Sequence, residues 1–478
     1  MNTTIRKMLV ALLMLPAFSA LMMANGTVTV SQVSGTVSIT SDVDYVVTDA
    51  DPFADGAILD IVNTENAVAI FPNVKPSALL NNHLSHIRIN GARAVKNSNC
   101  MVKIYANGSM VLPHGTGIRP LTVYTEKGQA GESTQYGVST RVSLEGSAFN
   151  NKIQSFTLKR GYMVWFATKS SNTNPGYNRI FIADKADLKV DLPAILSSSI
   201  SALRVSQWND ASKKGFCSWQ QGPNELLNTT WHYNWDAGNN PSDDREYVTQ
   251  QHHRDKSSGY WWPSFTEVGN NGTSANVVTY NEPDNTGDDR EHPATVQQVL
   301  EIWPQLMATG RRLGSPAVAG NLNWLYEFMD SIDARGWRCD FVVMHCYWYS
   351  DWSSWNSQLS GVRNRTGRPI WITEMNYGAN WTGWPGSNTE ANDANYAIHK
   401  QHFAPIVDGL EATSWLERYC VYNAVQACRN VIDANGNLTP SGEYYANKKS
   451  GLAYNSSYYV TPKLPKMKDP SELTVNYD

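Results

Sequence analysis

The feature that most constrains the fold is an alternation of strand-like and helix-like segments from Lys214 onward. Runs of β-branched and aromatic residues alternate with stretches that have the 3.6-residue periodicity of amphipathic helices. The predicted strands are Gly215–Trp219, Trp231–Trp235, Tyr260–Phe265, Asn276–Tyr280, Ala317–Gly320, Phe341–Trp348, Pro369–Thr373 and Arg418–Tyr422, with predicted helices at Thr295–Leu313, Trp324–Arg335 and Asn392–Leu410. Eight strands with crossovers over roughly 250 residues predict an α/β fold, one (β/α)8 TIM barrel. A doubly wound open sheet is the alternative, although Gly215-Phe216-Cys217 offers no glycine-rich nucleotide loop.

Residues 26–205 have a different pattern, with short alternating runs separated by turns rich in Asn, Gly and Asp. Strand-like runs at spacings near ten residues predict an all-β, sandwich-like domain ahead of the barrel. The predicted division is 26–205 for this domain, 206–460 for the barrel and 461–478 for a C-terminal tail. The β domain serves either as a structural platform or as a carbohydrate-binding module, which would need exposed aromatic residues such as Tyr162, Trp165 and Tyr177.

Residues 1–24 resemble a secretory signal peptide. Arg6 and Lys7 precede an apolar run from Met8 to Ala24, with small residues near its end. A retained membrane anchor is the alternative, but the run is short for a spanning helix. We expect a secreted or periplasmic protein with no membrane association after signal cleavage.

Charge and cysteine content exclude some other classes. The net charge of −4 leaves no electrostatic footprint for nucleic acid. Six scattered cysteines are too few for a disulfide framework. Cys217, Cys346 and Cys420 lie in apolar runs and are predicted to be small buried residues, with a Cys420–Cys428 disulfide as the alternative.

Two glutamates end predicted strands of the barrel. Ala275–Asp284 is an apolar run that stops at Glu282, since Pro283 cannot continue a central strand. Glu374 ends strand seven in the same way. Ligands bind at the carboxyl ends of barrel strands, so both carboxylates are predicted to face one pocket. Carboxyls about 5–5.5 Å apart could act as a covalent pair on a glycosidic bond. The alternative for Glu282 is an ion pair or a helix cap.

Several motifs carry a resemblance to a known family. They are Lys213-Lys214-Gly215-Phe216, Thr230-Trp231-His232-Tyr233-Asn234-Trp235, Asn281-Glu282-Pro283-Asp284, His345-Cys346-Tyr347-Trp348 and Trp371-Ile372-Thr373-Glu374. In this order they resemble the retaining glycoside hydrolases built on (β/α)8 barrels, and are most similar to glycoside hydrolase family 128, the endo-β-1,3-glucanases. The resemblance spans about residues 214–455.

The resemblance implies a role for each matching residue. Glu282 would be the general acid/base and Glu374 the nucleophile, while Asn281 would hydrogen-bond the 2-hydroxyl of the sugar. Tyr347 would hold the nucleophile by its hydroxyl, and His345 would line the pocket. A protonated Glu282 would need a raised pKa, for which an apolar setting and the charge of its partner are the physical means.

Rim residues are further candidates for binding substrate, because flat rings can stack on the apolar face of a pyranose. The candidates are Asn234, Trp235, Trp348, Asn376, Trp381 and Trp384. The His252-His253 pair with its neighbouring aspartates lacks the spacing of a known metal motif, so a solvated loop is predicted. Neither a metal nor a cofactor is expected.

Two classes of function are consistent with this sequence. The first is an exported, monomeric, retaining glycosidase whose implied substrate is β-1,3-glucan, with β-mannan and β-1,4-glucan as alternatives. The second is a non-catalytic glycan-binding protein that keeps a barrel as its scaffold. Release of products by the intact protein, and its loss in Glu282 and Glu374 variants, would distinguish them.

Overall fold

The computed structural model describes residues 25–218, 222–238, 241–255, 258–287, 292–462 and 464. The predicted signal peptide and most of the predicted tail lie outside the described residues. None of the helices in these ranges is long and apolar enough to cross a membrane.

The region before the predicted barrel is built from strands. They are β1 (Gly26–Val30), β2 (Thr36–Ile39), β3 (Val43–Val47), β4 (Ile58–Ile61), β5 (Val68–Phe71), β6 (Ile87–Ile89), β7 (Ala92–Arg93), β8 (Met101–Ala106), β9 (Gly108–Leu112), β10 (Leu121–Glu126), β11 (Ala130–Tyr136), β12 (Val142–Ser143), β13 (Ser155–Leu158), β14 (Tyr162–Ala167), β15 (Asn178–Ala183), β16 (Leu188–Asp191), β17 (Ala202–Gln207) and β18 (Asp210–Ala211). A short helix, α1 (Pro76–Ala78), follows β5.

The first nine strands pair mainly in parallel. Strands β1, β3 and β5 are neighbours in one sheet, and β2, β4 and β6 in another, so the chain alternates between two sheets. A buried core that includes Leu59, Ile61 and Phe71 lies among these residues. The parallel pairing differs from that of an antiparallel sandwich, and the assignment of 26–205 to one domain stays a prediction. Alternating side chains occur in parallel and antiparallel strands alike, so the sequence pattern could not distinguish them.

Strands β10 to β17 form two antiparallel four-stranded sheets, in the orders β11-β10-β13-β16 and β12-β17-β14-β15. This part fits the sandwich-like expectation. Phe156, Phe166 and Phe181 pack edge to face in its core. Tyr162, Trp165 and Tyr177, the aromatic candidates for glycan stacking, are all buried, so none of them offers a ring to a sugar at the surface.

The remaining residues alternate between strands and helices. The strands are β19 (Lys214–Cys217), β20 (Trp231–Tyr233), β21 (Glu246–Tyr247), β22 (Thr249–Gln251), β23 (His253–Arg254), β24 (Trp261–Trp262), β25 (Asn276–Asn281), β26 (Arg312–Ala317), β27 (Val342–Cys346), β28 (Ile370–Met375) and β29 (Leu416–Val421). The helices are α2 (Gly222–Leu226), α3 (Phe265–Asn270), α4 (Val296–Ala308), α5 (Leu322–Arg335), α6 (Trp352–Thr366), α7 (Asp393–Ala412) and α8 (Pro440–Asn447). The chain is thus of mixed α/β structure.

Parallel pairing links these strands in sequence. One sheet has the order β21-β20-β19-β29-β28-β27 and another has the order β22-β25-β26. Single bridges, Gly314 to Phe341 and Val318 to Met344, join β26 to β27. Only Val248 separates β21 from β22, and its N–H donates to the carbonyl of His232. The carboxyl ends of the parallel strands therefore lie at a common edge, which we call the rim.

The prediction for the third strand was wrong, although the count of strands before Glu282 is unchanged. Residues 246–251 supply that strand, whereas Tyr260–Phe265 forms one arm of the β23–β24 hairpin and the start of α3. Ser264 caps α3 in a capping box with Glu267. The Ser-x-x-Glu signature was readable in the sequence. Residues 246–251 carry several buried polar side chains, which concealed the strand.

The interior below the rim is filled by large rings and paired charges. Phe341 stacks on Trp371 with ring centroids 4.2 Å apart. The buried Arg418 forms an ion pair with Glu246 at 2.7 Å, and its guanidinium lies over Trp371. All six cysteines lie within the described residues and are buried free thiols, which confirms the burial predicted for three of them and shows no Cys420–Cys428 disulfide.

The antiparallel sheets of β10 to β17 contact the carboxyl ends of helices α3 and α4, and we call this contact the junction. Arg204 donates from Nη1 to the carbonyls of Gly269 at 2.7 Å and Thr309 at 2.6 Å. Arg311 donates to Gly269 at 3.0 Å and to Asn271 at 2.5 Å. These carbonyls end helices α3 and α4, where backbone acceptors lack partners within the helix. Two buried arginines therefore satisfy both helix ends.

A second contact joins the parallel-strand region to the loop after β20. Ser77 donates from its N–H and its hydroxyl to the two carboxylate oxygens of Asp244, at 2.8 and 2.6 Å. Lys96 forms an ion pair with Asp243. The sequence predicted these aspartates to belong to a solvated loop; Asp243 is indeed exposed, but Asp244 is bonded to helix α1 of the N-terminal region.

Candidate active site

The first carboxylate, Glu282, directly follows β25. Its φ of +41° lies in the left-handed region, which costs a residue with a side chain on the order of 1–3 kcal/mol and persists only where the surroundings impose it. The N–H of Glu282 donates to the carbonyl of Ala317 at 2.8 Å. Nearby, Asp284 accepts N–H groups from Ala319 and Asn321, each at 2.8 Å. The turn that presents Glu282 is thus held from the neighbouring strand and loop.

The second carboxylate, Glu374, lies near the end of β28 and is 7% exposed. It accepts three hydrogen bonds from side chains. Trp235 Nε1 donates to Oε1 at 2.8 Å, Tyr233 to Oε1 at 3.3 Å, and Tyr347 to Oε2 at 2.5 Å. An ionised carboxylate can accept such bonds, because it offers two oxygens and donates nothing. This donor set suits a glutamate that is charged before reaction.

Tyr347 is a permanent donor to that carboxylate. Burial, and next the charge of Glu374, hold the pKa of the Tyr347 hydroxyl well above its usual value. The phenol therefore keeps its proton at neutral pH. Its hydrogen bond also fixes the orientation of Glu374, as the sequence resemblance implied.

His345 lies between the two glutamates. Its Nδ1 is 2.7 Å from Glu282 Oε1, and its Nε2 is 3.6 Å from Glu374 Oε1. A carboxylate oxygen of each glutamate and a ring nitrogen of His345 all lie within 4.8 Å of one another. The histidine side chain is fully buried, so it contacts the carboxylates rather than lining an open pocket. The second oxygen of Glu282 accepts from Asn285 Nδ2 at 2.9 Å.

Comparison with known families identifies this region. Residues 208–445 match the family model described as glycosyl hydrolase catalytic core. This part of the chain is similar to that family. The resemblance predicted from the sequence is thereby confirmed for these residues. A comparison with curated proteins found no match.

Several solved structures of glycoside hydrolase family 128 are similar to this glycosyl hydrolase core. An endo-β-1,3-glucanase of subgroup I from Amycolatopsis mediterranei, in complex with laminaritriose, is 26% identical, with a TM-score of 0.41 over 49% of this chain and 98% of that chain. An exo-β-1,3-glucanase of subgroup V from Cryptococcus neoformans is 20% identical, with a TM-score of 0.39 over 49% and 98%. An oligosaccharide-binding protein of subgroup VII from Trichoderma gamsii is 21% identical, with a TM-score of 0.40 over 49% and 93%.

The glycosyl hydrolase core brings most of the predicted site residues to the rim. Asn281 ends β25 beside Glu282 and is buried. Asn234 accepts a hydrogen bond from Tyr247. Trp381 is 70% exposed, and its ring meets that of Tyr347 edge to face at 5.4 Å. Trp381 thus offers the open ring face that stacking on a sugar requires.

One predicted substrate contact, Asn376, is used inside the protein. Asn376 is fully buried, and its amide donates to the carbonyls of Tyr422 and Arg429 at 3.0 and 3.1 Å. Its side-chain oxygen lies 2.8 Å from His399 Nε2. Because every polar atom of Asn376 is used inside the protein, its prediction as a substrate contact was wrong. Asn376 supports the strand behind Glu374 instead.

Trp348 and Trp384, two further candidates, each contact another side chain. Trp348 meets the buried Trp355 edge to face at 5.1 Å and accepts its ring N–H through the backbone carbonyl. The Arg429 guanidinium lies 4.9 Å from the ring centre of Trp384. Both rings contact protein and are half-buried, so their role as subsite walls stays a prediction. Proximity in sequence to a strand end did not reveal which way the rings turn.

The sequence interpretation missed two residues that contact Glu282 and Glu374. Tyr233 donates to Glu374, and Asn285 donates to Glu282. Tyr233 had a readable signal, since Trp231, Tyr233 and Trp235 alternate along one strand and therefore share its inner face. Asn285 had none, because its position depends on the left-handed turn at Glu282.

A histidine cluster lies beside the same rim. His252 accepts the N–H of Asn281 through its carbonyl, and its Nδ1 is 2.7 Å from that of His253. His253 stacks on His292 with ring centres 4.0 Å apart. Burial lowers the pKa of His252 to about 3, so this ring is neutral at neutral pH. The expected solvated loop is thus partly packed against the rim.

Among the described residues, one group has the spacing of a metal site, and it is Glu282, His345 and Glu374. Their hydrogen bonds to one another, and to Trp235 and Tyr347, account for the cluster without an ion. The same atoms could ligate a divalent cation, since carboxylate and imidazole are common ligands. The arrangement suits proton transfer between a carboxyl and an imidazole as well as attack by a fixed carboxylate.

Proposed function

We propose that the protein is a retaining glycoside hydrolase that cleaves β-1,3-glucan by double displacement. The observation that carries this proposal is the approach of Glu282 and Glu374, with an oxygen of each within 4.8 Å. Retaining glycosidases have carboxyls about 5–5.5 Å apart, whereas inverting ones keep about 6.5–9.5 Å to admit a water. The short separation favours covalent catalysis over direct attack by water.

The scaffold that we propose for this site is one (β/α)8 barrel. Parallel pairing runs from β19 through β20 and β21, continues from β22 through β25 to β26, and passes by two bridges to β27. It then returns through β28 and β29 to β19. Taking β21 and β22 as one strand interrupted at Val248 gives eight strands, with Glu282 after the fourth and Glu374 in the seventh.

In the first step, Glu374 is the nucleophile. One of its oxygens attacks the anomeric carbon while the bond from that carbon to the glycosidic oxygen breaks. The donors Trp235 and Tyr347 hold the carboxylate in a fixed orientation, so little reorganisation is needed during attack. Asn281, at the end of β25, is placed to hydrogen-bond the sugar hydroxyl next to the reacting carbon, where such a bond strengthens in the transition state.

Glu282 is the general acid and then the general base. Its proton passes to the leaving glycosidic oxygen in the first step. In the second step, Glu282 takes a proton from water, whose oxygen bonds to the anomeric carbon and releases Glu374. His345 and Asn285 hold the two oxygens of Glu282. The imidazole can share the proton of Glu282, because its Nδ1 accepts in one tautomer and donates in the other.

The proposed substrate rests on the sequence motifs shared with glycoside hydrolase family 128, from Lys213 to Glu374. β-Mannan and β-1,4-glucan are alternatives within the same chemistry. We propose export in soluble form on the basis of the apolar segment at residues 8–24. Action as a monomer belongs to the same proposal.

A product assay tests the proposal. The intact protein is incubated with linear β-1,3-, β-1,4- and mixed-linkage glucans and with mannan, and soluble oligosaccharides are followed over time. Glu282→Gln and Glu374→Gln should each lower kcat by about 10⁴-fold or more, since catalytic carboxylates act as a unit. Glu327→Gln is the matched control, because Glu327 is exposed on helix α5.

The outcomes separate the alternatives. Release of oligosaccharides from mannan alone would contradict the proposed substrate but not the proposed mechanism. Binding of β-1,3-glucan without any product would favour a glycan-binding protein. Full activity in Glu374→Gln would exclude the proposed nucleophile. Nuclear magnetic resonance of the first product distinguishes retention from inversion at the anomeric carbon.

A further inference from the structure

A polar groove of about 580 Å³ lies at the junction, away from the catalytic rim. Its walls come from sandwich residues such as Arg141 and Thr173 and from helices α3 and α4. Its floor includes Gly269 and Thr309, at the carboxyl ends of these two helices. Helix α4 follows a strand whose carboxyl end is at the rim, so the carboxyl end of α4 lies at the opposite end of the barrel units. The groove is therefore a separate surface from the catalytic site.

Three arginines give this groove a positive charge. Arg141 and Arg204 line it, and Arg311 lies beside Arg204. Arg204 and Arg311 donate to main-chain carbonyls, and Arg141 donates to the side-chain oxygen of Asn172. In the part of the chain that the structure describes, no carboxylate forms an ion pair with any of the three. The acceptors that these arginines do find are neutral, so no acceptor carries a negative charge to balance the guanidinium groups.

The protonation behaviour of these arginines agrees with a missing counter-charge. Burial lowers the pKa of Arg204 to about 10, and burial together with the charge of Arg204 lowers that of Arg311 to about 9. Burial also lowers the pKa of Arg141, and the nearby Glu145 opposes this only in part. An anion in the groove would supply the charge that the protein lacks there.

The rest of the lining suits a sugar chain. Its other side chains are mostly hydroxyls and amides, among them Thr173, Asn270 and Gln305, which can donate and accept hydrogen bonds. Phe265 adds one half-buried aromatic ring, which can stack on the apolar face of a pyranose. Two nitrogens of Arg141, Nε and Nη2, also lack a partner among the described residues.

We infer that this groove is a second glycan site, which binds sugar chains carrying anionic groups through Arg141. A guanidinium recognises the paired oxygens of a carboxylate or of a sulfate ester in the same bidentate way, so both substituents fit. This inference goes beyond the proposed hydrolysis, because it places the anionic ligand at the junction, away from the rim, and needs neither catalytic glutamate.

Calorimetric titration of the whole chain tests the inference. The Glu374→Gln background prevents turnover of the probes, which are a neutral β-1,3-linked hexasaccharide, its sulfated form and an oligosaccharide of uronic acids. The charged probes should bind, and Arg141→Gln should weaken them at least 10-fold while leaving the neutral probe unchanged. Arg88→Gln is the matched control, since it removes the same charge from an exposed position on β6.

A second variant keeps the inference testable if Arg141→Gln fails to fold. Gln305→Glu adds a negative charge to the groove wall without removing an arginine, and it should weaken the charged probes by a similar factor. Tighter binding of the sulfated or of the uronate probe identifies the preferred substituent. Equal affinity for neutral and charged probes, unchanged affinity in the variant that folds, or no binding of either charged probe at millimolar concentration would overturn the inference.

Discussion

The rim and the junction both take charged groups out of water, but they satisfy them in different ways. At the rim, side chains satisfy the charged group: Trp235 and Tyr347 donate hydrogen bonds to the carboxylate of Glu374. At the junction, the main chain satisfies it: backbone carbonyls at two helix ends accept hydrogen bonds from Arg204 and Arg311. The donors to the carboxylate are side chains that a substitution can remove, whereas the acceptors around the guanidinium groups are backbone carbonyls.

This difference separates function from stability. Removing a rim donor changes the orientation and charge of a reacting group while the core below it stays packed. Removing a junction arginine leaves several buried carbonyls without a donor, and that loss lowers the free energy of unfolding. The following variants test whether the two regions are as distinct as their contacts indicate.

The largest effect is expected at the junction. Arg311→Met would leave the carbonyls of Gly269, Asn271 and Ser274 without this donor, and unfolding free energy should fall by about 3 kcal/mol. The midpoint of urea unfolding measures this. The kcat of the folded protein should stay within about twofold of the original. Arg88→Met, at an exposed position, is the control, and equal destabilisation by both changes would contradict the assignment.

Tyr347→Phe should produce the opposite pattern. It removes the donor to Glu374 Oε2 and leaves the ring that meets Trp381 in place. We expect kcat/KM on β-1,3-glucan to fall by about 10- to 100-fold, in line with the loss of one hydrogen bond to a charged group. Tyr349→Phe, which changes a 40% exposed tyrosine in the same way, should have no such effect. A fall in stability with unchanged activity would assign Tyr347 to the core.

A pH effect should arise behind the rim, at His399. This fully buried ring contacts Asn376 and Ser441, and burial, then the charges of Arg429 and His402, lowers its pKa to about 3. Below pH 6.5 this ring is protonated in the unfolded chain but stays neutral in the folded protein. The free energy of unfolding therefore decreases as the pH is lowered. Between pH 6.5 and 4.5 the loss should be about 2 kcal/mol.

Urea unfolding at the two pH values checks this prediction. In His399→Gln the difference between pH 6.5 and 4.5 should shrink by about that amount, because glutamine does not titrate. An unchanged difference would show that other buried histidines, such as His114 with a pKa of about 4, dominate the acid sensitivity.

The smallest effect is expected at Trp381, the most exposed large side chain of the rim. Trp381→Ala removes a stacking surface that no other described contact needs for folding. We expect KM for long glucans to rise about fivefold, or roughly 1 kcal/mol, with kcat and thermal stability nearly unchanged. Trp381→Phe keeps a flat ring and should restore most of the affinity. An unchanged KM in the alanine variant would remove Trp381 from the binding surface.

Local patterns in the sequence were sufficient to predict much of the α/β region and the position of both carboxylates. Strand-like runs ending at Glu282 and Glu374 placed both carboxylates at one rim, because the end of a strand is visible as a change in residue type. The order of strand-like and helix-like segments indicated the α/β region, even though the third strand was misplaced. The same kind of pattern identified Trp235 and Tyr347, since aromatic residues close to strand ends are few.

Contacts between distant segments were decided only by the tertiary structure. The ring of Trp384 packs against the guanidinium of Arg429, which is distant in sequence. Asn376 is structural because three segments far apart in sequence use its polar atoms. At the junction the arginines donate to backbone carbonyls. Every residue has a backbone carbonyl, so these acceptors could not be predicted from residue type. Side-chain identity is written in the chain, but the partner of each side chain depends on which segments the fold brings together.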